Sequence, residues 1–297
     1  MGSLTLQAYI SQLKKTGGKI VIGEDGTFWI RYEVGAMVRM PTFSVELPSQ
    51  KELREMFWNK GVACVSYILE ADERHPQNAW LYVSTDRLYN LSKLGKGTKW
   101  SIKQGLKSLR IEPIKGDELL KHGFEAFSDT RKRVGLSDGT PEEFRRRFTK
   151  QTRVSGHTFF GAWHVDQLVA FLSIIDVEDW VEIEGSFSMT AFLKHYPNDT
   201  LLFSILTYYL LERRKRLVSY GLSSLQATAN KAGLHAFKTK IGFEAKPVHR
   251  VFVLHPILRP FVNQLTFLGL NAALRLRPRN RVLKKIRGVL ALILGKQ

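Results

Sequence analysis

The pattern of hydrophobic positions changes between strand-like and helix-like periods along the whole chain. Residues 19–34, KIVIGEDGTFWIRYEV, consist of two alternating apolar runs around Glu24-Asp25-Gly26, and this pattern predicts a hairpin. The other elements predicted in the first part of the chain are a helix over residues 50–61 capped by Ser49 and ended by Gly61, and strands over residues 62–69 and 78–85.

A second series of elements begins near Ile114. In order, it comprises helices over residues 116–135 and 142–151, a hairpin over 157–176 that turns at 165–167, a strand over 180–189, a helix over 200–216, a strand over 217–225, a helix over 231–244 and a strand over 246–255. Asp138 or Thr140 is expected to cap the second helix, and Asn198, Asp199 or Thr200 the long helix. Strands separated by helices predict an α/β (α+β) fold with a mixed β-sheet flanked by helices.

Composition restricts the class of protein. Hydrophobic residues make up 44% of the 297 residues, which is enough for a packed core. The single cysteine, Cys64, excludes an intramolecular disulfide framework and fits a reducing cytoplasm. The sequence shows no signal peptide and no run of about 18 apolar residues that would cross a bilayer. The net charge of +18 favours anionic partners: nucleic acid, anionic lipid or acidic substrates.

Half of this net charge lies in residues 257–297, and a second basic segment lies between the two series of elements. Lys96, Lys99, Lys103, Lys107 and Arg110 are three or four residues apart, so all five share one face if the segment is helical. Like charges at this spacing repel each other, so helix stability does not explain them. Two interpretations stay open, a solvated basic face and an anion-binding face that holds a substrate or its carrier.

The ordered series resembles a known family. From the hairpin to the last strand it is similar to the second half of GNAT-like (N-acetyltransferase-like) transferases of the Fem type, the FemABX-like peptidyltransferases. Residues 91–114, LSKLGKGTKWSIKQGLKSLRIEPI, resemble the basic linking segment of that family, and residues 127–136, FSDTRKRVGL, its following Arg-Gly signature. The resemblance covers about residues 20–255. Such proteins are similar to two GNAT folds in tandem, and they join an amino acid or acyl group to an amine, often on a cell-wall precursor.

The resemblance implies three regions. They are a partial N-terminal GNAT-like unit with its basic linking helix over residues 1–113, a C-terminal GNAT-like acyltransferase domain over residues 114–256, and a basic amphipathic tail over residues 257–297.

The segment before the long helix departs from acetyl-CoA-binding GNAT domains, which carry a glycine-rich loop there. Residues 195–206 read HYPNDTLLFSIL, without glycine, and Asp199 would oppose a phosphate. The donor therefore stays open among acyl-CoA, acyl carrier protein and aminoacyl-tRNA. The sequence predicts no tightly bound cofactor, and it contains no metal-ligand motif.

Acyl transfer to an amine needs a base for the amine proton and donors for the tetrahedral oxyanion. Lys238 matches the lysine of the family's Phe-Lys segment, which implies a role at the transfer site; a surface lysine is the alternative. Glu184 and then Glu182 are the candidate bases, because they alternate on one strand and share a face; an exposed strand face is the alternative. Arg131 and Arg133 are candidates for binding an anionic group of the acceptor.

The tail over residues 257–297 contains nine Lys and Arg residues and no Asp or Glu. Pro278 divides it into two apolar segments of helical period, a pattern typical of interfacial helices. We expect this tail to bind an anionic membrane surface. Docking on the protein's own surface and nucleic-acid binding are the alternatives.

These features predict an N-acyltransferase or aminoacyltransferase that acts on an amine of an envelope or membrane-linked precursor. The predicted location is the cytoplasm, with peripheral attachment to the inner face of the cell membrane through the tail, and tRNA is a candidate partner. Two alternatives are an acyl-CoA-dependent N-acetyltransferase and a non-catalytic basic module that binds membrane or RNA.

Overall fold

The computed structural model describes residues 4–23, 27–31, 35–136, 139–223, 231–278 and 280–296. Its α-helices are α1 Leu6–Lys15, α2 Gln50–Arg54, α3 Lys96–Ser108, α4 Gly116–His122, α5 Phe124–Arg133, α6 Pro141–Thr152, α7 Pro197–Leu206, α8 Lys231–Lys240, α9 Gln264–Leu276 and α10 Arg281–Ile293. Its strands are β1 Ile20–Ile22, β2 Phe28–Arg31, β3 Ala36–Met40, β4 Cys64–Glu70, β5 Ala79–Ser84, β6 Arg110–Ile114, β7 His157–His164, β8 Gln167–Val177, β9 Trp180–Ser188, β10 Leu217–Leu222 and β11 Glu244–Leu254. Single π-helical turns, Glu55–Asn59 and Thr207–Glu212, continue α2 and α7.

The chain forms two compact units, each assembled from segments that are distant in sequence. Unit 1 comprises Met1–Thr16, Tyr82–Gly221 and Ala232–Ala245, and unit 2 comprises Gly17–Leu81, Leu222–Lys231 and Lys246–Gln297. Each unit combines strands with helices, so the α/β class and the mixed sheet flanked by helices are confirmed. Neither unit is continuous in sequence, so the domain boundaries predicted at residues 113 and 256 stay a prediction.

The sheet of unit 1 follows the strand order β10-β9-β8-β7-β6. β6 to β9 pair in antiparallel fashion, whereas β10 runs parallel to β9. We call the side covered by α4, α5 and α6 the aromatic face, because its core is a cluster of phenylalanines: Phe127, Phe144, Phe148, Phe159, Phe171 and Phe187. On the opposite face, Thr158 donates to or accepts from the Tyr209 hydroxyl at 3.0 Å, and Phe160 packs on Tyr208.

Unit 2 contains the strand order β1-β2-β3-β4-β11, with only the β3–β4 pair parallel. Its core joins Trp29, Met56 and Val65. The Trp29 indole donates a hydrogen bond to the buried carboxylate of Glu52, so the ring's polar edge is satisfied inside this core. The helices α9 and α10 pack against each other in the same unit.

Local signals placed most of these elements correctly. The Ser49 and Thr140 hydroxyls accept hydrogen bonds from the backbone N–H of Glu52 and Glu143, as N-caps do. The first hairpin is confirmed by the β1–β2 pairing, while its turn at Glu24-Asp25-Gly26 lies outside the described residues, as does the other cap candidate, Asp138.

Three predicted boundaries are wrong. The helix over 116–135 is two helices, interrupted at Gly123, where a side chain would meet Leu119 and Phe144. The long helix begins at Pro197, and its N-cap is Tyr196 in a left-handed conformation rather than Asn198, Asp199 or Thr200. The basic helix ends at Ser108, and Arg110 lies in β6 beside Glu112, so only four lysines share the face.

No helix within the described ranges is long and apolar enough to span a bilayer.

Helix α3 packs closely on α7, and this contact provides a test of the fold. A Cβ added at Gly105 would lie 1.9 Å from the Thr200 Oγ1, inside a fully buried contact. We expect Gly105→Ala to lower the free energy of unfolding by about 1–3 kcal/mol through overpacking. Gly97→Ala is the matched control on the same helix, because no atom lies within 4 Å of its added Cβ. This change should be neutral or stabilise by about 0.5 kcal/mol. Equal effects of the two changes in urea unfolding would contradict the α3–α7 contact.

Candidate active site

The candidate site lies where β9 and β10 part. The two strands pair at three positions, Leu217 with Trp180, Val218 with Val181 and Ser219 with Glu182. Both strands run on beyond the last of these pairs, β9 to Ser188 and β10 to Leu222. The β9 backbone can accept a ligand on this side, because its N–H and C=O groups beyond Glu182 are not used by β10, which turns away at Gly221.

A β-bulge in β9 marks the same point. Ser173 of β8 faces Gly185 and the next residue, Ile174, faces Ile183, so Glu184 is the extra residue. Such a bulge turns a side chain away from the regular alternation and leaves the bulged backbone outside the ladder. The Glu184 carboxylate accepts hydrogen bonds from Gln151 Nε2 at 2.7 Å and Ser173 Oγ at 3.3 Å. Gln151 belongs to α6, so Glu184 projects on the aromatic face.

Further buried polar groups surround this carboxylate. His157 Nδ1 lies 3.5 Å from Glu184 Oε2, and His157 Nε2 is 3.1 Å from the Tyr9 hydroxyl. We refer to Tyr9, Gln151, His157, Ser173 and Glu184 as the Glu184 cluster. The Glu184 side chain is 26% exposed, whereas the rings of His157 and Tyr9 are buried. Glu184 and the half-buried Gln151 are thus the members of the cluster that a substrate can reach.

Burial controls the protonation of the two ring partners. Burial lowers the pKa of His157, assisted by the positive charge of Arg147 and opposed by Glu184. Burial also raises the pKa of the Tyr9 phenol, with added repulsion from Glu184 and Glu182. At neutral pH the imidazole is therefore neutral and the phenol protonated. Both carboxylates act on the same phenol, which agrees with the prediction that Glu182 and Glu184 share a face; Glu182 itself is buried.

Lys238 occupies a different environment. Its side chain is only 9% exposed, and its Nζ donates to the Tyr220 carbonyl at 3.1 Å. The ammonium lies 4.1 Å from the ring centroid of Tyr82 and 4.4 Å from that of Tyr220, a cation–π contact on two sides. Burial lowers the pKa of Lys238 to about 8, so the side chain is mostly charged at pH 7 but loses its proton readily.

Tyr220 connects the Lys238 environment to β9. A hydrogen bond between Tyr220 and Ser186 lowers the pKa of the phenol, against the larger effect of burial, which raises it. Ser186 precedes Phe187, which points to the aromatic face, so Ser186 points to the opposite face. Glu184 and Lys238 are therefore on opposite faces of the sheet, and the structure does not bring them into contact. The segments of β9 and β10 beyond their last pair lie between these two side chains, and the Tyr220–Ser186 hydrogen bond connects the two strands there.

The two arginines of the Arg-Gly signature lie near this site. Arg131 is buried, with its guanidinium 3.0 Å from Glu143 and over the ring of Phe127. Arg133 donates to the backbone oxygen of Ser188 at 3.0 Å and to its hydroxyl at 2.9 Å, at the end of β9. Arg133 thus lies at the end of β9, and Arg131 lies in the core of the aromatic face. The role of both arginines in acceptor binding stays a prediction.

The start of α7 carries an ion pair. The buried Asp199 carboxylate accepts from Lys240 Nζ at 2.7 Å and from Ser101 Oγ at 2.8 Å. It occupies the first turn of α7, where free N–H groups would otherwise attract an anion. Helix α3 supplies Ser101, and its exposed or half-exposed lysines form one stripe on the helix: Lys96, Lys99, Lys103 and Lys107.

Sequence reasoning missed the partners of both charged residues. The signal for the Glu184 cluster is a polar Ser173 inside an apolar strand, together with His157 at the start of the preceding one. Tyr9 could not be connected to them, because it comes from a helix about 150 residues away in sequence. Tyr82 could not be connected to Lys238 for the same reason, and Tyr220, 18 residues before Lys238, lies on a strand whose position relative to α8 no local signal predicts.

Comparisons with known proteins identify the fold. No protein-family profile and no curated protein matches this chain. FemX matches at 10% identity with a TM-score of 0.56, over 86% of this chain and 93% of FemX. The C-terminal domain of a putative lysylphosphatidylglycerol synthetase from Agrobacterium fabrum matches at 12% identity, TM-score 0.53, over 84% and 87%. L-PGS from Bacillus licheniformis matches at 13% identity, TM-score 0.51, over 86% and 93%.

The resemblance to Fem-type GNAT-like proteins is thus confirmed as a likeness of fold. The matches extend over most of both chains. At 10–13% identity the likeness shows the fold and assigns no role to individual residues.

The lowered pKa of Lys238 predicts a dependence of stability on pH. Between pH 8 and 10.5 the unfolded chain still holds a proton at Lys238 that the folded chain has released. Folding stability contributed at this position therefore rises with pH through that window. Between pH 8 and 10.5, the free energy of unfolding of the wild type should rise relative to that of Lys238→Met by on the order of 3 kcal/mol at most. Urea unfolding of both proteins at the two ends of the window measures this gain, and a constant difference would contradict the buried ammonium.

The lowered pKa of His157 predicts the reverse at acidic pH. As the pH falls through 6.5, the unfolded chain takes up a proton that the buried imidazole refuses, so the wild type loses stability. His157→Gln has no imidazole to protonate in the unfolded chain, so its free energy of unfolding should fall less than that of the wild type at acidic pH. Urea unfolding at neutral pH and below pH 6.5 compares the two proteins. A larger acid loss in His157→Gln would show that His157 is protonated and paired with Glu184 in the folded chain.

Proposed function

We propose that this chain transfers an acyl or aminoacyl group from an activated carrier to an amine, in the gap between β9 and β10. The observation that carries the proposal is the end of the β9–β10 ladder at Glu182 and Ser219, with a partly open carboxylate, Glu184, on one face and a buried ammonium, Lys238, on the other. The fold shared with FemX and with L-PGS supports group transfer as the reaction class.

Glu184 acts as the general base in this proposal. Its carboxylate takes the proton from the attacking amine as the new N–C bond forms. Gln151 and Ser173 hold the carboxylate in place, and the neutral His157 beside it adds no charge that would pair with the carboxylate permanently. A base positioned in this way contributes about 100- to 10,000-fold to the rate.

Lys238 stabilises the oxyanion of the tetrahedral intermediate. Its ammonium is charged at neutral pH and poorly solvated, so its field acts more strongly on a developing negative charge than a surface lysine would. The backbone of the bulged segment, which lies outside the ladder, provides further donors. The leaving carrier departs when the intermediate collapses. Because Tyr220 bridges to Ser186, we propose that the donor displaces this tyrosine as it enters.

The donor carrier is proposed to be polyanionic. The lysine stripe of α3, with Lys99, Lys103 and Lys107, suits tRNA or an acidic carrier protein. Asp199 at the first turn of α7 disfavours the pyrophosphate of acyl-CoA there, although its pairing with Lys240 reduces the repulsion. We therefore rank aminoacyl-tRNA and acyl carrier protein above acyl-CoA.

The acceptor is proposed to be an amine on an envelope or membrane-linked precursor. Support for a membrane-linked acceptor comes from one relative in fold, which is named a lysylphosphatidylglycerol synthetase and so takes a phospholipid as acceptor. Phosphatidylglycerol offers a hydroxyl, so the amine of the acceptor proposed here rests on the site chemistry alone. Arg133, held at the end of β9, is the proposed contact for an anionic group of such a precursor.

The test measures transfer from the three donor classes, each carrying a labelled acyl or aminoacyl group, to an envelope-precursor extract. Glu184→Gln removes the base while keeping its size and should lower the rate by about 100-fold or more. Lys238→Met removes the charge and should lower it by about 100- to 1,000-fold. Asp166→Asn, in the β7–β8 turn, and Lys194→Met, on an exposed turn, are matched controls and should keep wild-type rates.

Wild-type rates in both site variants would overturn the proposed site. If the wild type transfers no label from any of the three donor classes, a non-catalytic module is favoured. Turnover of acyl-CoA alone would favour an ordinary acyl-CoA N-acyltransferase.

A further inference from the structure

The outward face of α9 is apolar without interruption. Leu265, Leu268, Gly269, Ala272 and Leu276 fall within about one third of the helix circumference, and all five are exposed. Leu265 is 80% exposed, Leu268 60% and Leu276 85%. An isolated exposed leucine is ordinary on a protein surface, but a continuous row of them is not.

The inward face of the same helix is already used. Phe267 is buried against Leu290 and Ala291 of α10, and Leu270 packs on the same cluster. Arg287 of α10 reaches Asn271 at 3.2 Å and lies over the Phe267 ring, so this contact also has a polar part. Helix α10 thus gives Leu290 and Ala291 to the contact between the helices and leaves Val282 and Ile293 exposed, whereas the exposed apolar residues of α9 form a continuous row.

The row continues into the segment before α9. Ile257 and Phe261, on the 3₁₀ turn Pro256–Phe261, are also largely exposed. Arg259 lies between them, and Arg275 and Arg277 flank Leu276 at the other end of α9. We refer to these apolar side chains, Ile257, Phe261, Leu265, Leu268, Ala272 and Leu276, as the α9 surface.

The charge of this region selects the occupant. Residues 257–297 contain nine Lys and Arg and no Asp or Glu. A second copy of the chain would bring two such positive regions together, which costs electrostatic energy. A nucleic acid would match the charge but would leave the leucine row in contact with phosphates or water. An anionic lipid surface satisfies both features, because the acyl region takes the leucines and the headgroups take the arginines.

We propose that the α9 surface docks on an anionic lipid bilayer, with Leu265, Leu268 and Leu276 inserted at the interface and Arg259, Arg275 and Arg277 at the headgroups. The binding is peripheral and does not depend on the transfer reaction proposed above. It narrows the interfacial pattern that the sequence predicted for both tail segments, because the continuous exposed row lies on the first helix, whose opposite face packs on α10.

The test is co-sedimentation of the full chain with vesicles of phosphatidylcholine, either pure or mixed with phosphatidylglycerol, at low and high salt. The wild type should bind the mixed vesicles at low salt, and high salt should weaken this binding. The double variant Leu265→Glu/Leu268→Glu should lower the partition coefficient by at least about tenfold. Leu47→Glu, at an equally exposed leucine elsewhere in unit 2, is the matched control and should bind as the wild type does.

A second variant separates charge from insertion. Arg275→Gln/Arg277→Gln should weaken binding to mixed vesicles by roughly fivefold for each charge at low salt, with a smaller effect at high salt. Circular dichroism and thermal unfolding confirm that each variant keeps the wild-type fold.

Three results would overturn the proposal: a wild type that does not sediment with the mixed vesicles, a leucine variant that binds as well as Leu47→Glu, or a wild-type dimer in sedimentation velocity that the leucine variant abolishes. The last result would assign the α9 surface to a second copy of the chain. None of them bears on the transfer assay, so the two proposals fail independently.

Discussion

The early end of the β9–β10 ladder is the constraint on which the candidate site depends. Parallel strands that pair throughout satisfy each other's backbone groups and leave no room for a ligand. Here the pairing stops at Glu182 and Ser219, and the bulge at Glu184 follows two residues later. Glu184 projects on the aromatic face, and Tyr220 reaches from β10 to Ser186 on the other side. Without the early end of the ladder, neither side chain would border an opening.

The surroundings of the two charges differ in the way that acyl transfer requires. Glu184 is partly open and held by neutral donors, so it can meet an amine. Lys238 is enclosed by two aromatic rings and a carbonyl, which keeps a cation out of water and close to where negative charge would develop. Three other buried charges of unit 1 have fixed partners: Arg131 with Glu143, Lys215 with Asp176 and Asp199 with Lys240. These pairs hold helices and strands in place and are expensive to break.

Local sequence signals predicted the order and type of elements because each signal depends on neighbouring residues. Ser49 and Thr140 cap helices as expected, whereas α8 ends at Lys240, before the predicted end of that helix at residue 244. The bulge at Glu184 was not predictable, since one added residue leaves the apolar pattern of β9 unchanged. Lys238 and Glu184 could be selected by resemblance and alternation, but their partners come from distant segments. In the tail, both helices carry apolar residues, and only their packing shows that α9 keeps a free row.

The most direct measurement of the central claim is the position at which the reacting acyl group contacts the chain. A carrier that supports turnover, with a photoreactive group in place of the acyl side chain, can be cross-linked and the adducts mapped by mass spectrometry. The account predicts adducts in residues 182–188 of β9 and 219–222 of β10, on both sides of the gap. Adducts confined to α3 or to unit 2, with none on these two strands, would contradict it.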